Sequence, residues 1–218
     1  MTHDLPSSLV LSLPLQNRCP RGFSVYPAGS QPAVFALAGY TVYLADSQSA
    51  RFSLGGMKVL VFGNSGSGKS TYARALATRE GLAHLDLDSI AWEAGKIAVR
   101  RPTESVEDSL RSFIDSHAAW VIEGCYGELV RAASAHCTLL VFLNPGMDAC
   151  LANNLKRPWE PHKYSSLELQ NTMLSQLQEW VACYYQREDA WSYRVHREIF
   201  DAFAGPKLEH CEVNAYAP

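Results

Sequence analysis

The sequence contains no long apolar segment. Among its 218 residues, no run approaches the roughly 18–20 apolar residues that a membrane-spanning helix requires. The apolar stretch from Leu9 to Leu15 is short, contains Pro14 and lacks a preceding basic flank, so it does not match a signal peptide. We therefore expect no membrane partner and a cytoplasmic location.

Positive charge is also scarce. Lys and Arg number 19 against 22 Asp and Glu, which gives a formal net charge of −3. Without an excess of positive charge, a nucleic-acid backbone is not an expected partner. The pairs Arg100-Arg101 and Lys156-Arg157 are local, and they suit the phosphates of a small ligand better than those of a duplex.

The cysteines lack any regular spacing. No C-x-x-C pair occurs, and no Cys/His spacing is typical of a zinc site. The pattern predicts reduced thiols in a cytosolic protein, most of them small core residues, rather than zinc binding or a disulfide framework. Cys125 is the cysteine most open to another role. The six cysteines are Cys19, Cys125, Cys137, Cys150, Cys183 and Cys211.

The first 56 residues differ in composition from the rest of the chain. They contain many of the prolines, few charges and no sustained helical period, so we predict an irregular or disordered extension. Within it, segments 33–37 and 40–44 could pair as a small hairpin. Met57 lies one residue before the first strand of the following domain, 57–218. A second hypothesis is therefore that Met57 is the native start and residues 1–56 are an upstream translation artefact.

The chain is organised around one glycine-rich motif. Residues 63–70 have the sequence GNSGSGKS, which fits the pattern G-x-x-x-x-G-K-[ST] at every fixed position. Its glycines let successive backbone N–H groups surround an anion, and the next helix turns its positive dipole end toward the same anion. Lys69 is expected to reach the outer phosphates and the Ser70 hydroxyl to bind Mg²⁺. The predicted nucleotide-binding residues are Gly63, Asn64, Ser65, Gly66, Ser67, Gly68, Lys69, Ser70 and Thr71.

The segments beside the motif support this prediction. Residues 57–62, MKVLVF, form a short apolar run typical of a buried parallel strand. Residues 70–80 contain helix formers with an apolar stripe, and Gly81 provides a stop signal. Strand, glycine loop and helix in this order are the context that a phosphate-binding loop requires.

The remainder of the chain alternates between apolar runs and amphipathic segments. Strands are predicted at 82–88, 120–123, 138–143 and 208–213, and helices at 103–116, 128–135, 147–155, 173–184 and 195–204. Such alternation predicts a three-layer α/β fold of the P-loop NTPase type, in which helices flank a parallel sheet of about five strands. The polar, proline-containing segment 156–164 suits a short mobile lid.

Three acidic residues lie where predicted strands end. In an open α/β sheet the ligand binds beyond the carboxyl ends of the strands, which brings Asp86, Asp88 and Glu123 to the phosphate loop. Asp86 could hold Mg²⁺ through water, while Asp88 accepts a proton from a substrate hydroxyl or orients it. Two alternatives stay open. Asp86 could cap the following turn, and Glu123 could bind substrate or metal, or cap the turn at Gly124, which is itself a candidate for substrate binding.

Basic and aromatic residues complete the candidate site. The planar guanidinium of Arg157 suits charge that develops on a transferred phosphoryl group, with a solvated charge cluster as the alternative. Arg101 and its basic neighbour could clamp an anionic acceptor. Trp92, Tyr126 and Trp159 could wall an acceptor pocket, although lone aromatic residues more often serve packing.

From Met57 to about Pro206 the chain resembles the small-molecule kinases of the adenylate kinase and shikimate kinase type. It is also similar to the adenylate-kinase-like bacterial proteins labelled ATPases or topology modulation proteins. The resemblance rests on the strand and phosphate loop, the pattern Asp86-Leu87-Asp88, the glycine turn after the third strand, and Arg157-Pro158 in the lid. It implies ATP and Mg²⁺ as cofactors and contact between Asp88 and the acceptor.

The sequence departs from both kinase types. Shikimate kinases have a triple glycine after the third strand, where this chain has Glu123-Gly124-Cys125-Tyr126-Gly127. Adenylate kinases have a longer lid with more arginines. The resemblance therefore assigns neither shikimate nor a nucleoside monophosphate as the acceptor.

Two functions remain open. No N-K-x-D or T-K-x-D guanine-recognition motif is present, so ATP is favoured over GTP, and the adenine contact is expected near 204–207. The first function is ATP-dependent, Mg²⁺-requiring phosphoryl transfer to a small hydroxyl-bearing or phosphate-bearing metabolite, by a monomer or homodimer. The alternative is a nucleotide-binding regulator or slow ATPase that acts through a protein partner.

Overall fold

The computed structural model describes residues 56–93, 96, 99–159 and 166–212, and also the backbone of two short strands before them. These strands, β1 (Ala33–Leu37) and β2 (Tyr40–Leu44), pair antiparallel with Ala33 opposite Leu44 and Leu37 opposite Tyr40. The hairpin predicted at these positions is therefore confirmed. The remainder of the predicted irregular extension lies outside the described residues.

Five parallel strands form the main sheet. In chain order they are β3 (Lys58–Gly63), β4 (Ala83–Asp86), β5 (Trp120–Gly124), β6 (Leu139–Leu143) and β7 (Lys207–His210). Their spatial order is β4-β5-β3-β6-β7, and every neighbouring pair is parallel. The strand that leads into the glycine motif thus lies at the centre, and its carboxyl end meets the crevice that ligands use in such sheets.

Helices connect the strands, and α3 and α5 have the bounds predicted from the sequence. The elements are α1 (Lys69–Glu80), α2 (Asp88–Ala91), α3 (Thr103–Ser116), α4 (Gly127–Ser134), α5 (Met147–Leu155), α6 (Leu167–Ala182) and α7 (Tyr193–Ala202). Gly81 ends α1 in the left-handed conformation at φ 66°, as its stop signal predicted. Within the described ranges, no helix combines the length and the apolar character that crossing a bilayer demands.

The helices cover both faces of the sheet, because side chains alternate in direction along each strand. Val59 and Val61 of β3 are fully buried in one apolar cluster with α1 residues such as Leu76. Leu60 and Phe62, equally buried, join the cluster that packs with α3, α4 and α7 on the other face. This arrangement confirms the predicted three-layer α/β fold with a five-stranded parallel sheet.

The second strand of the domain is shorter than predicted. β4 ends at Asp86 and α2 begins at Asp88, whereas the sequence pattern placed one strand over 82–88. The chain turns there because the Asp86 carboxylate accepts a hydrogen bond from the Asp88 amide at 2.9 Å. With only four residues, α2 is too short to show a helical period in the sequence.

Five of the six cysteines lie in the part of the chain that the structure describes, and four of these are reduced as predicted. Cys125, Cys137, Cys150 and Cys183 are free thiols. Cys211 is disulfide-bonded, so the expectation of reduced thiols throughout the chain is wrong at that residue.

Candidate active site

The glycine motif joins β3 to α1 in a conformation that favours glycine. Gly63, Gly66 and Gly68 have positive φ angles of 150°, 79° and 94°. A Cβ atom at Gly63 would lie 2.2 Å from the Leu143 carbonyl oxygen, and one at Gly66 would lie 2.2 Å from the Cys150 carbonyl oxygen. The loop therefore packs its glycines directly against β6 and α5, in a shape that larger residues would disrupt.

Lys69 is the first residue of α1 and lies across the loop. Its Nζ donates a hydrogen bond to the Asn64 carbonyl at 2.8 Å, and the residue is only 8% exposed. Gly68, the N-cap residue, has no side chain to cap the helix. The amides of the first helical turn therefore keep their positive dipole end for a negatively charged ligand, which fits the phosphates of a nucleotide.

Helices α5 and α6 hold the loop in place. Asn64 Nδ2 donates to a carbonyl of α6 at 3.2 Å, and Asn153 Nδ2 donates to the Gly66 carbonyl at 2.9 Å. Arg157, which follows α5, donates to the Ser65 hydroxyl at 3.2 Å. The predicted lid arginine thus lies beside the phosphate loop, whereas residues 160–164 of the predicted lid are outside the described residues.

Glu123 is a buried carboxyl group beside the loop. At the carboxyl end of β5, it lies opposite Val61 of β3 and Asp86 of β4 in the sheet register. It is 2% exposed, and its Oε1 has no hydrogen-bond partner in the part of the chain that is described. Burial, followed by the negative charge of Asp86, raises the pKa of Glu123 to about 7, against the opposing charge of Lys69.

Asp86 and Gly124 have structural contacts at the same edge of the sheet. The Asp86 carboxylate accepts from the Asp88 amide, which is the capping role that the sequence left open. A Cβ atom at Gly124 would lie 2.7 Å from the Leu87 side chain, so glycine permits the close approach of the turn after β4. Metal binding by Asp86 and substrate binding by Gly124 stay predictions.

Asp88 is joined to two aromatic side chains by hydrogen bonds. The Tyr126 hydroxyl donates to Asp88 Oδ1 at 2.5 Å, and Trp92 Nε1 donates to the Tyr126 hydroxyl at 2.6 Å. The sequence indicated Trp92 and Tyr126 only as candidate pocket walls. Tyr126 lies 38 positions from Asp88 and 34 from Trp92, so no local spacing pattern could have revealed these bonds.

Arg100 extends this group of aromatic residues. Its guanidinium carbon lies 5.2 to 5.7 Å from three ring centroids, those of Trp92, Tyr126 and Trp191. Arg100 also forms an ion pair with Glu128 at 2.9 Å. We call Trp92, Arg100, Tyr126 and Trp191 the aromatic cluster; it surrounds the Tyr126 ring with two indoles and one cation. Trp159, the third predicted wall residue, follows α5, is 49% exposed and is not part of this cluster.

Arg101, a predicted substrate-binding residue, is bonded within the protein. Its guanidinium donates to the Ile90 carbonyl at 3.0 Å and to the hydroxyls of Ser105 and Ser109 at 2.7 and 3.4 Å. These bonds join α2 to α3, next to an open cavity of about 860 Å³ that β4 also lines. Substrate binding by Arg101 stays a prediction.

A second buried network fixes the turn after β5. The Cys125 carbonyl accepts a hydrogen bond from His196 Nε2 at 2.9 Å, and His196 Nδ1 pairs with the Tyr184 hydroxyl at 2.6 Å. Because a carbonyl only accepts, His196 carries its proton on Nε2 and accepts at Nδ1. Burial raises the pKa of the Cys125 thiol to about 12, so this thiol stays protonated at neutral pH.

The expected adenine contact near 204–207 is wrong. β7 begins at Lys207 and runs parallel to β6, so residues 204–206 enter the sheet at its amino edge. The phosphate loop follows the carboxyl end of β3, which is parallel to β6 and ends at the opposite edge. In this last part of the chain, the segment that lies at the same edge of the sheet as the phosphate loop is the one after His210, where β7 ends.

The residues present fit a magnesium ion. In the described segments, no group of three or more His, Cys, Asp or Glu side chains forms a metal cage. Mg²⁺ needs no such cage, because it commonly takes one or two protein ligands together with phosphates and water. The Ser70 hydroxyl and the unpartnered, buried Oε1 of Glu123 provide oxygen atoms where the loop meets β5.

Comparisons with known proteins give structural similarities alone. No protein-family model matches the chain, and no curated protein matches it. A sugar kinase from Janibacter sp. HTCC2649 is 18% identical with a TM-score of 0.38, over 71% of this chain and 85% of its own. A gluconokinase from Sinorhizobium meliloti 1021 is 15% identical with a TM-score of 0.40, over 75% of this chain and 87% of its own. A shikimate kinase from Acinetobacter baumannii, in complex with shikimate, is 18% identical with a TM-score of 0.34, over 67% of this chain and 93% of its own.

The chain is an α/β protein with a glycine-rich loop after the central strand of a parallel sheet. It is similar in structure to P-loop small-molecule kinases at low sequence identity, as its motifs indicated. With TM-scores of 0.34 to 0.40, these similarities assign no residue role to this chain.

Proposed function

We propose that this chain transfers a phosphoryl group from ATP to a hydroxyl group of a small molecule. The observation that carries the proposal is the arrangement at one edge of the sheet. There, a glycine loop with a buried lysine follows the central strand β3, and a carboxylate that an aromatic hydroxyl holds in place follows β4, two strands away. A phosphate-binding loop accounts for the first group, and an acceptor hydroxyl accounts for the second.

The loop residues from Gly63 to Thr71 are the proposed binding site for the phosphates of ATP. Their backbone amides and the α1 dipole neutralise negative charge, and Lys69 adds a full positive charge. Ser70 and Asp86 would hold Mg²⁺, with Glu123 beside them. The metal supplies charge neutralisation on the phosphate oxygens when it is bound.

Asp88 is the proposed proton acceptor in the transfer step. The hydroxyl oxygen of the acceptor bonds to the γ-phosphorus as the bond from that phosphorus to the β,γ-bridging oxygen breaks. The electron pair of the broken bond leaves with ADP, and the hydroxyl proton passes to Asp88. Lys69 and Arg157 place positive charge beside the oxygens of the transferred group.

One further observation favours the alternative, a nucleotide-dependent regulator. Leu155, Trp159 and Leu167 are 65%, 49% and 53% exposed, and they flank the chain around Arg157. Gln170 of α6 donates to the Pro158 carbonyl at 3.1 Å, which ties this segment to the helix behind it. Exposed apolar side chains in the chain before and after Arg157, which contacts Ser65 of the loop, suit a protein partner that responds to the bound nucleotide.

ATP consumption by the purified protein with Mg²⁺, with and without a pooled extract of metabolites, distinguishes the two functions. Mass spectrometry then searches for a product heavier by one phosphoryl group. Under the proposed function, such a product forms, and Asp88→Asn lowers its rate of formation at least about 100-fold while ATP affinity is unchanged. Slow hydrolysis that no metabolite stimulates would contradict the proposal and favour the regulator.

Lys69→Ala tests the loop in the same experiment. We expect its ATP affinity to fall at least about 10-fold, because a charged contact to phosphate is lost. Lys96→Ala is the matched control, since Lys96 is largely exposed and pairs with Glu93. Unchanged ATP affinity in Lys69→Ala would show that the motif does not bind the nucleotide.

A further inference from the structure

The hydroxyl of Tyr126 lies between the candidate proton acceptor and an indole. It donates to Asp88 Oδ1 at 2.5 Å and accepts from Trp92 Nε1 at 2.6 Å. Tyr126 is 3% exposed, so water has little access to compete for these bonds. Two consecutive hydrogen bonds thus join Trp92, just after α2, to Tyr126 in the turn after β5, and Tyr126 to Asp88 at the start of α2.

The direction of these bonds is set by chemistry. An indole N–H can only donate, so the Tyr126 oxygen is the acceptor toward Trp92. The phenol has a single proton, which then points to Asp88. Burial, followed by the negative charge of Asp88, raises the pKa of Tyr126 above its ordinary value of 10, so the phenol remains a donor at any working pH.

The surroundings of Tyr126 hold its ring in place. Its centroid lies 6.3 Å from that of Trp92 and 5.9 Å from that of Trp191, with nearly perpendicular planes for Trp191. The next residue in the chain, Gly127, donates its amide to the Ala190 carbonyl at 3.0 Å. A Cβ atom at Gly127 would lie 2.0 Å from that carbonyl oxygen, so the chain segments are in close contact.

The residue before Tyr126 is fixed as well. The Cys125 carbonyl accepts from His196 on α7. Arg187 donates to the Trp191 carbonyl at 2.6 Å, which holds the second indole of the aromatic cluster. Tyr126 therefore has little freedom to follow Asp88, and Asp88 must instead adopt the orientation that Tyr126 imposes.

We propose that Tyr126 is the positioning residue for Asp88 in phosphoryl transfer, with Trp92 setting the direction of its hydroxyl. The inference rests on the proposed function, in which Asp88 takes the proton of the acceptor. A free aspartate rotates about its Cβ–Cγ bond, whereas a proton acceptor must face one oxygen atom at hydrogen-bond distance. The Tyr126 hydroxyl restricts that rotation by holding Oδ1.

The first test needs no substrate. The indole N–H resonance of Trp92 is identified in a ¹H–¹⁵N spectrum by its loss in Trp92→Phe. We expect Tyr126→Phe to shift this resonance strongly, because it removes the acceptor of the indole N–H. Asp88→Asn shifts it as well, through the shared hydroxyl. An unchanged chemical shift of the Trp92 indole N–H in both variants would contradict the two hydrogen bonds and overturn the inference.

The second test measures transfer to the acceptor found in the metabolite experiment. We expect Tyr126→Phe to lower kcat about 10-fold or more and to leave KM for both substrates unchanged, because only the orientation of the base is lost. Trp92→Phe, which keeps the Tyr126–Asp88 bond, lowers kcat less. Tyr193→Phe is the matched control, since the Tyr193 hydroxyl makes no hydrogen bond within the described residues, and it keeps the wild-type kcat.

A double variant separates positioning from packing. If Tyr126 acts through Asp88, Tyr126→Phe has no further effect on the residual rate of Asp88→Asn. Multiplied effects, a wild-type kcat in Tyr126→Phe, or a change in KM alone would overturn the inference while the proposed function stands. Absence of transfer by the wild-type protein, or full activity in Asp88→Asn, would overturn the proposed function and the inference with it.

Discussion

His196 is a buried, uncharged side chain that bonds through both ring nitrogens. It is fully buried between the Tyr184 hydroxyl and the Cys125 carbonyl. Burial lowers the pKa of His196 to about 3, and the positive charges of Lys69 and Arg187 lower it further against the opposing bond to Cys125. In the unfolded chain the same residue titrates near its ordinary value of 6.5.

This difference predicts a loss of stability in mild acid. Below pH 6.5 the unfolded chain binds a proton at His196 that the folded protein does not bind, so the free energy of unfolding falls as pH falls from 6.5 toward 3. From pH 7.5 to 5.5 the contribution of this one group is a loss of about 1.4 kcal/mol. Urea unfolding at both pH values, compared with His196→Gln, measures it.

The His196→Gln variant isolates the histidine from the other titrating groups. Glu123, whose pKa is raised to about 7, contributes in the opposite direction, but it is present in both proteins and cancels in the difference. We expect the variant to be less stable at pH 7.5 and to lose less stability on acidification. Equal losses in both proteins would show that His196 is not held neutral.

Single residues differ in how far the sequence reveals their surroundings. The sequence indicated that Asp88 and Glu123 lie at the carboxyl edge of the sheet, because they come at the ends of apolar strands and parallel strands end at one edge. Tyr126 and Trp92 could not be recognised as partners of Asp88. Their contact depends on how the chain returns after α2, where Trp92 and Arg100 form an isolated bridge, and no sequence period encodes that return.

Among the elements, the phosphate loop depends on α5 behind it. Gly66 has a φ of 79°, and a Cβ atom there would meet the Cys150 carbonyl oxygen at 2.2 Å and Asn154 Nδ2 at 2.8 Å. Neither neighbour can move freely, since the Cys150 carbonyl belongs to the backbone of α5 and Asn154 is fully buried. The shape of the loop is thus fixed by packing as well as by glycine conformation.

A pair of substitutions separates these two effects. Gly81→Ala introduces a Cβ atom at φ 66° with open space around it, and we expect a loss of about 1–2 kcal/mol in the free energy of unfolding and normal ATP affinity. Gly66→Ala adds the contact with α5 to the same backbone strain. We expect a loss larger by about 2 kcal/mol and at least about 10-fold weaker ATP binding.

Urea denaturation and calorimetric ATP titration of both variants provide the measurement. Equal stability of Gly66→Ala and Gly81→Ala, with normal ATP binding in both, would mean that the loop adapts without α5.

The sequence predicted the five strands of the main sheet and all but the shortest of the described helices, although it placed the start of α6 at residue 173 rather than at Leu167. Helices α3 and α5, with 14 and 9 residues, are long enough to show a helical period in the sequence, and their ends coincide with the prediction. The four-residue α2 was missed, and its absence from the prediction displaced Asp88 onto a strand. The adenine contact was misplaced for another reason. Residues 204–207 precede the last strand, and in a parallel sheet the segments before the strands lie at the edge opposite the loop.

At the scale of the whole molecule, Met57 lies just before the central strand β3 of the main sheet. Met57 is 3% exposed, belongs to the apolar cluster on the α1 face, and its carbonyl accepts from the Trp120 amide at 2.9 Å. Lys58 begins β3 and bonds to Thr138 through both its amide and its carbonyl, at 3.0 and 3.2 Å. These contacts make residues 57 and 58 part of the sheet and its core.

We therefore expect a chain of residues 57–218 to form the proposed kinase-like domain on its own. It should unfold in one cooperative transition and bind ATP within about twofold of the full chain, because the loop and its supports all lie within it. A chain of residues 60–218 is the matched control. It lacks Met57, Lys58 and Val59, so the central strand loses its first ladder bonds and two buried side chains, and we expect it to be unstable. Denaturation curves and ATP titrations of the three chains are measured with a reducing agent present, because Cys211 is disulfide-bonded in the full chain and Cys125, Cys137, Cys150 and Cys183 are free. Loss of cooperative unfolding in 57–218 would place the boundary earlier and make the preceding segment part of the fold.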